Sequence, residues 1–260
     1  MVKYTMNRPY SKVRSSISPE PGLLASLLLT LALVVSASAV AAEVPLRSFT
    51  ASYDLAKSGV NLAIAELSLE PQEHMWRWRL TTEARGWVAM FTRKKPYSET
   101  TFIHDHDRMR LQQIVLADEN DRDNIESADF DWESRQMKVL RKGKHSSVNL
   151  TNDVYDYQSI HLLAAEMQLQ QLQLLNESTF TFYRKGKLVE SRLTYRGKGT
   201  VEVGDKDTDA NIFEQTTSGS ETTVKYYYDL ENPLLPLFIE TRKGDDSPTT
   251  MTLRRVDWRS

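Results

Sequence analysis

Histidine and aspartate alternate in the stretch Phe102 to Arg110 (FIHDHDRMR), which holds the side chains best suited to metal chemistry. In an extended strand, His104 and His106 would point to one face, and the two intervening aspartates to the other. Two imidazoles at this spacing can chelate one metal ion, but a competent zinc site needs a third or fourth ligand. No sequence spacing brings one close, and aspartate favours turns. We therefore predict a solvated hairpin turn, with a metal-dependent hydrolase built on His104 and His106 as the alternative.

Two acidic segments have the composition of a calcium-binding loop. They are residues 118–124 (DENDRDN) and residues 204–209 (GDKDTD). Neither matches the EF-hand pattern, which requires a mid-loop glycine and a distal bidentate glutamate. We predict that both segments are solvated loops.

Nucleophilic catalysis finds no support in the motifs of this chain. There is no G-x-S-x-G element, the signature of a serine nucleophile on a strand-turn-helix. Ser159 and His161 are two residues apart in a predicted helix, so their side chains point to different sides. Capping of that helix explains Ser159 better. We expect a protein that is not an enzyme and that holds no cofactor.

Aromatic residues form a pattern that points to binding. Trp76 and Trp78 share one face of a predicted strand, and Trp87 and Phe91 lie in the apolar run GWVAMF. These four residues are our candidates for lining a groove that takes a hydrophobic ligand.

The apolar run is followed at once by a basic cluster, Arg93, Lys94 and Lys95. An apolar segment beside basic residues can contact lipid headgroups, and the same cluster can contact a partner protein. The alternative is a segment that packs on the core and leads into a solvated basic turn.

The composition limits the chemistry and the partners. The 260-residue chain contains no cysteine and has a formal net charge of -2. The lack of cysteine excludes disulfides, thiolate metal sites and thiol catalysis. A nucleic-acid-binding surface would be basic and clustered, so we predict no nucleic-acid partner.

Residues 1–42 have the features of a secretory signal peptide. A basic front precedes the uncharged apolar run from Leu23 to Val35, and the small residues SASAVAA follow. These three parts are typical of a cleaved signal peptide, and we predict cleavage after Ala41 or Ala42. An uncleaved anchor is the alternative, but a membrane span needs about 20 apolar residues. No second apolar span follows, so the mature chain is predicted to lack a transmembrane segment.

Apolar and polar residues alternate along most of the chain after residue 47, in short runs separated by turn residues. This pattern is typical of half-buried antiparallel strands. We predict one mainly β domain, residues 43–260, with about a dozen strands, a size at which open sheets curl or close. The alternation changes phase near Ala65, where we predict a β-bulge. Gly197 and Gly199 are predicted to lie in a turn.

One segment, Gln158 to Leu175, lacks glycine and proline and consists of strong helix formers. Its apolar residues recur at spacings of three and four, which predicts a single long helix with a broad face buried against the sheet. Asp156 or Ser159 can cap its start.

The order of these features resembles a family of bacterial envelope proteins, domain of unknown function 3108. Four landmarks carry the resemblance: the strand motif Tyr53-Asp54-Leu55 after an exported N-terminus, the element Asp156-Tyr157-Gln158-Ser159 that opens the helix, the paired strands with short glycine turns, and the late Leu235-Pro236 before an apolar strand. The resemblance implies a periplasmic protein of Gram-negative bacteria with no agreed catalytic residues. It also implies one large, strongly curved antiparallel sheet, a half-open barrel with a single long helix packed on it.

Three functions remain open. The first is a periplasmic binding or accessory protein whose apolar groove takes a lipid or a segment of an envelope protein. The second is a scaffold for envelope assembly that meets its partner through strand edges and the basic residues 93–95. The third is the metal-dependent hydrolase.

Overall fold

The computed structural model describes residues 44–105, 108–169 and 176–259. The predicted signal peptide and its cleavage site lie outside these residues. Within the described residues, no helix combines the length and the apolar character that a bilayer span requires.

Strands account for most of the described chain. The first eight are β1 (Phe49–Lys57), β2 (Val60–Gln72), β3 (Met75–Ala84), β4 (Pro96–Asp105), β5 (Arg108–Asp118), β6 (Asp121–Asp131), β7 (Gln136–Arg141) and β8 (Lys144–Asn149). The remaining seven are β9 (Val154–Tyr155), β10 (Glu177–Arg184), β11 (Lys187–Val203), β12 (Lys206–Thr217), β13 (Thr222–Asp229), β14 (Pro236–Lys243) and β15 (Thr249–Trp258). A short 3-10 helix (Gly86–Met90) lies between β3 and β4, and one α-helix, α1 (Ile160–Leu169), lies between β9 and β10.

All the strands belong to one 15-stranded sheet. From β8 back to β1 each strand pairs with its neighbour in sequence, and from β15 back to β9 the same holds. The two runs join at the centre of the sheet, where β1 pairs antiparallel with β15. Only the short contact between β9 and β10 is parallel. The predicted large antiparallel sheet with a helix is confirmed.

The two edge strands of the sheet, β8 and β9, are consecutive in the chain. Only residues 150–153 connect them, so the Cα atoms of Asn149 and Val154 are at most about 18 Å apart. The sheet must therefore curl until its edges approach each other. Tyr183 on β10 donates a hydrogen bond of 2.9 Å to Oε1 of Glu126 on β6, which links the two halves across this seam.

Because neighbouring strands are antiparallel, their connections alternate between two rims of the curled sheet. We call one the upper rim; its connections are residues 58–59, 85–95, 119–120, 142–143, 185–186, 218–221 and 244–248. We call the other the lower rim; its connections within the described chain include residues 73–74, 132–135, 150–153, 204–205 and 230–235.

Helix α1 lies inside the curl and is apolar on more than one side. Leu162 and Ala165 pack in the cluster that holds β1 to β7 together. Ile160, Leu163 and Met167 pack in a second cluster formed with β10 to β13. A helix that is apolar nearly all round is a buried helix, so α1 fills part of the interior instead of covering one face. The predicted residues 170–175 lie outside the described chain.

The start of α1 is fixed by a reciprocal pair of contacts between Asp156 and Ser159. The backbone N–H of Ser159 donates to Oδ1 of Asp156, and the backbone N–H of Asp156 donates to Oγ of Ser159, both at 2.8 Å. The Ser159 hydroxyl also donates to Oδ1 of Asp156, at 2.6 Å. This is the capping-box arrangement, with aspartate and serine in place of the usual serine and glutamate.

Three local predictions are wrong. Of the two acidic segments predicted as loops, only residues 119–120 and 204–205 lie between strands, and the rest belong to β5, β6 and β12. Gly197 and Gly199 lie within the continuous strand β11, where the register shifts between Tyr195 and Gly197. Gly197 has φ of +99°, which glycine adopts at little cost, so it forms a bulge instead of a turn. The bulge predicted near Ala65 lies at Leu62 instead. Leu55 pairs with Ala63 and Ala56 pairs with Asn61, so the register skips Leu62.

Candidate functional site

A cavity of about 480 Å³ lies inside the curled sheet, above the start of α1. Its lining comes from β2, β3 and β4 on one side and from β10 and β12 to β15 on the other. Several lining residues belong to the upper rim or adjoin it, among them Lys185, Thr217, Ser220 and Thr222. The cavity therefore opens towards the upper rim, while α1 occupies the interior below it.

The wall of the cavity is largely apolar. Its apolar side chains are Leu67, Leu80, Phe182, Val224, Ile239 and Met251. Val224 and Tyr226 are two residues apart on β13, as are Ile239 and Thr241 on β14, so each pair faces the same side of the sheet. The period-two alternation that predicted these strands thus also places their inner residues in the wall.

His161 lies in the lining at the first turn of α1. It is only 3 % exposed, and burial lowers the pKa of its imidazole to about 3. The ring is therefore neutral near pH 7. Its Nδ1 lies 2.7 Å from the hydroxyl of Tyr228, and its ring centroid is 5.4 Å from that of Trp78.

The polar residues of the lining are tied to one another or to neighbouring strands. Tyr226 donates a 2.7 Å hydrogen bond to Oε1 of Gln215, and Nε2 of Gln215 donates to Oγ of Ser191 at 3.1 Å. Nε2 of Gln158 donates to Oγ of Ser98. Burial raises the pKa of the Tyr226 hydroxyl, so it stays protonated. These groups form a neutral polar floor.

The carboxyl group of Asp156 lies just behind this floor. It is buried, and desolvation raises its pKa, although hydrogen bonds from Ser159 and Thr100 lower it. The Thr100 hydroxyl donates to Oδ2 of Asp156, which ties β4 to the start of α1. Asp156 is thus a positioning residue for the helix that carries His161.

The mouth of the cavity is basic. Arg184 is half-buried at the end of β10, and Lys185 is exposed in the turn that follows. Within the described chain neither side chain forms an ion pair with a carboxylate, and no aspartate or glutamate is among the residues that line the cavity. A negatively charged group at the mouth would therefore meet two cations and no competing anion.

The four groove candidates from the sequence do not line this cavity. Trp78 is fully buried, with its ring near those of Phe49, Phe102 and His161. Its Nε1 is buried without a hydrogen-bond partner in the described chain. Trp76 is partly buried and packs against the same core.

Trp87 and Phe91 lie at the upper rim, outside the cavity. They are 57 % and 78 % exposed, and their ring centroids are 6.1 Å apart. Arg93, Lys94 and Lys95 follow them and are all exposed. Contact of these residues with headgroups or a partner stays a prediction.

His104 is half-buried on β4 and pairs in register with Met109 on β5, so the chain reverses between them. His106 lies outside the described residues. Among the residues that the structure describes, no three histidine, aspartate or glutamate side chains are grouped so as to hold a metal ion.

Sequence reasoning missed His161, Arg184 and Lys185. The sequence suggested His161 as a catalytic partner for Ser159 or as a further metal ligand, although a histidine flanked by apolar residues in IHLLAA is itself a signal of a buried polar group. The basic turn RKGK, residues 184–187, carries three cations, as residues 93–95 do. Nothing in the linear sequence places it beside an apolar cavity.

A second depression of about 530 Å³ lies where the sheet edges meet, lined by residues of β8 to β11 and of their connections. Asn149, Asn152, Thr179 and Thr181 contribute to this lining. It is more polar than the cavity at the upper rim and lacks basic residues.

The family comparison matches residues 48–254, nearly all of the described chain, to a family described as protein of unknown function DUF3108. No curated protein matches the chain.

Two solved structures align over most of their length. One is a Bacteroides fragilis protein described as exported and as having a YmcC-like fold; it shows 6% identity, covers 83% of this chain and 98% of its own, and has a TM-score of 0.28. The other is MucB in complex with MucA(peri), with 9% identity, 81% and 89% coverage, and a TM-score of 0.15. TM-scores this low do not establish a shared fold.

Proposed function

This chain belongs to the DUF3108 family, proteins of unknown function, and we propose that it is an exported, non-enzymatic protein that binds an amphipathic molecule in the cavity at the upper rim. The ligand has an apolar chain and an anionic group, as a fatty acid or a phospholipid does. The observation that carries the proposal is an apolar cavity whose mouth is lined by Arg184 and Lys185 without an acidic residue.

The size and lining of the cavity suit an apolar ligand segment. Pockets for small molecules commonly measure about 300–1,000 Å³ and are lined mainly by hydrophobic side chains, with a few polar groups that fix orientation. Burial of apolar surface in such a pocket is favourable by about 25 cal/mol per Å². The aliphatic and aromatic wall supplies that surface on both sides of the cavity.

The mouth suits a carboxylate or a phosphate. A guanidinium presents parallel N–H donors that match both groups, and charge-assisted hydrogen bonds of this kind are about twice as strong as neutral ones. Because Arg184 is half-buried, its field is less screened than that of a fully exposed cation. Lys185 adds a second positive charge beside it.

The neutral polar floor supports binding rather than catalysis. His161 contacts the hydroxyl of Tyr228, and burial keeps this hydroxyl protonated by raising its pKa. A general base normally has a pKa near the working pH and contacts the nucleophile that it activates. His161 satisfies neither condition, so its role is to pack and to present a neutral ring to the ligand.

Extraction of the purified protein with organic solvent, followed by mass spectrometry, tests the proposal. We expect recovery of an amphipathic lipid from the wild type and loss of that lipid from Val224→Trp, which fills the cavity. Thr223→Trp is the matched control, because the neighbouring residue does not line the cavity. Recovery of no lipid from the wild type, together with failure to bind a fluorescent fatty acid, would refute the proposal.

A further inference from the structure

The upper rim carries an exposed apolar cluster formed by Trp87, Met90 and Phe91. These side chains are 57 %, 77 % and 78 % exposed, and they lie on the 3-10 helix or directly after it. Exposed apolar side chains that stand singly need no explanation, whereas grouped ones point to an interaction site. The rings of Trp87 and Phe91 are 6.1 Å apart between centroids, and Met90 directly precedes Phe91.

The segment that carries the cluster is held in place at both ends. The backbone N–H of Arg85 donates to the carbonyl of Leu62 at 2.8 Å. At the other end, the backbone N–H of Lys95 donates to Oδ1 of Asp118 at 3.1 Å, and Asn120 donates to the carbonyl of Arg93. The three apolar side chains are therefore displayed outward by an anchored loop.

Cations surround the cluster. Arg85, Arg93 and Lys94 are exposed and form no ion pair with the described residues, whereas Lys95 contacts Glu83 at 3.2 Å. Arg85, Arg93 and Lys94 can therefore bind anions on another surface.

The two rims of the sheet differ in charge. In the upper-rim connections the basic residues are Arg85, Arg93, Lys94, Lys95, Lys142 and Lys185, and the acidic ones are Glu119, Glu221, Asp245 and Asp246. In the lower-rim connections named above, the acidic residues are Glu73, Glu133, Asp153, Asp205 and Glu231, and the basic one is Arg135. An anionic surface would therefore attract the upper rim and repel the lower rim.

We infer that the upper rim docks on an anionic lipid bilayer, with Trp87, Met90 and Phe91 in the headgroup region and Arg93 and Lys94 beside the phosphates. Tryptophan and basic residues are the side chains that membrane interfaces favour, and each basic residue near an anionic surface strengthens the attraction. Docking in this orientation turns the cavity mouth towards the bilayer. The docking itself does not require that the cavity hold a ligand.

The absence of cysteine makes an orientation test direct. In the full chain, Met90→Cys gives a unique site for an environment-sensitive nitrobenzoxadiazole probe, and Leu230→Cys gives a matched site at the lower rim, where Leu230 is 42 % exposed. We expect vesicles that contain phosphatidylglycerol to shift the emission of the probe at position 90 to the blue and to leave the probe at position 230 unchanged.

Charge reversal tests the contribution of Arg93 and Lys94 to membrane binding. Arg93→Glu with Lys94→Glu should weaken binding to phosphatidylglycerol vesicles by about 25-fold or more. Lys198→Glu with Lys206→Glu makes the same charge change on β11 and β12, away from the upper rim, and should change binding less than twofold.

Three results would overturn the inference. The first is an equal response of the probe at position 90 to vesicles of phosphatidylcholine alone. The second is a blue shift at position 230 instead of position 90. The third is no response to either vesicle, together with capture of one protein by a photocrosslinker at position 90, which would make the cluster a protein-docking surface.

Discussion

Nδ1 of His161 on α1 lies 2.7 Å from the hydroxyl of Tyr228 on β13, and this contact joins the interior helix to the sheet. The ring centroid of His161 also lies within 5.8 Å of those of Trp78 on β3 and of Tyr226 and Tyr228 on β13. One buried histidine thus connects both halves of the curled sheet through the helix.

Acid should destabilise the protein through His161. Its pKa is about 3 in the native state, against 6.5 for an unperturbed histidine. As the pH falls below 6.5 the unfolded chain binds a proton that the native chain does not, so the free energy of unfolding decreases, by about 4 kcal/mol at pH 3. Urea unfolding of wild type and His161→Asn between pH 3 and 7 measures this effect. His161→Asn should lose most of the decrease in unfolding free energy that His161 causes as the pH falls. His145→Asn, at an exposed site, should keep it.

Asp156 should act in the opposite direction. Burial raises its native pKa above 3.8, so the native chain keeps a proton that the unfolded chain has lost. Its contribution to the free energy of unfolding is therefore present at low pH and decreases as the pH rises from 3.8 through the native pKa. Asp156→Asn removes this contribution while an amide oxygen can still accept from Ser159. The same urea series should show that the variant gains stability over the wild type as the pH rises; a constant difference would contradict the assignment.

Ser159→Ala should cost about 1–2 kcal/mol of unfolding free energy, because the backbone N–H of Asp156 loses its acceptor at a buried helix start. Thermal unfolding by circular dichroism measures the cost. The exposed Ser147→Ala should be close to neutral, and an equal loss in both variants would argue against the capping role.

Tyr183→Phe should loosen the seam between the sheet edges. The variant removes the 2.9 Å hydrogen bond to Glu126, although Glu126 keeps its 2.6 Å contact with Arg141. We expect a loss of about 1–2 kcal/mol and faster hydrogen exchange in β7 to β10. Tyr97→Phe is the control, because its hydroxyl has no hydrogen bond to the described residues. Unchanged exchange at the edge strands would show that the seam does not depend on this contact.

Arg184→Glu should weaken the binding of a fluorescent fatty acid by at least about tenfold, because a charge-assisted hydrogen bond contributes about 1.5–3 kcal/mol. Lys138→Glu changes the charge equally at an exposed position on β7, away from the cavity lining. Fluorescence titration at low salt compares the two variants. If both bind like the wild type, the anionic group of the ligand does not sit at the mouth.

Local sequence patterns predicted most of the strands and the helix, but they predicted little of how the strands pair. Alternation along Phe49, Ala51 and Tyr53 predicted β1, and the Asp-x-x-Ser element predicted where α1 begins. The pairing of β1 with β15 and the approach of the edge strands depend on contacts between distant parts of the chain, which period and propensity do not encode. Gly197 shows that the same uncertainty exists within a single strand, because the sequence alone does not distinguish a glycine in a turn from a glycine in a bulge.

The cavity was harder to predict than the fold because its lining is assembled from eight strands and the start of α1. The tryptophans were predicted to line the cavity because they are the largest apolar side chains. Their size also suits them to fill the core, and Trp78 is fully buried there. The residues that shape the cavity, such as Val224 and Ile239, are ordinary inner positions of strands. Only the tertiary structure distinguishes the inward-facing residues that pack against a neighbour from those that line the cavity.

Pairing of β1 with β15 places the start and the finish of the folded chain side by side in the middle of the sheet. The pairing of β1 with β15 can form only after β15 has been synthesised, so this part of the sheet closes late. Such long-range closure slows folding, and a slowly folding chain stays extended for longer after synthesis.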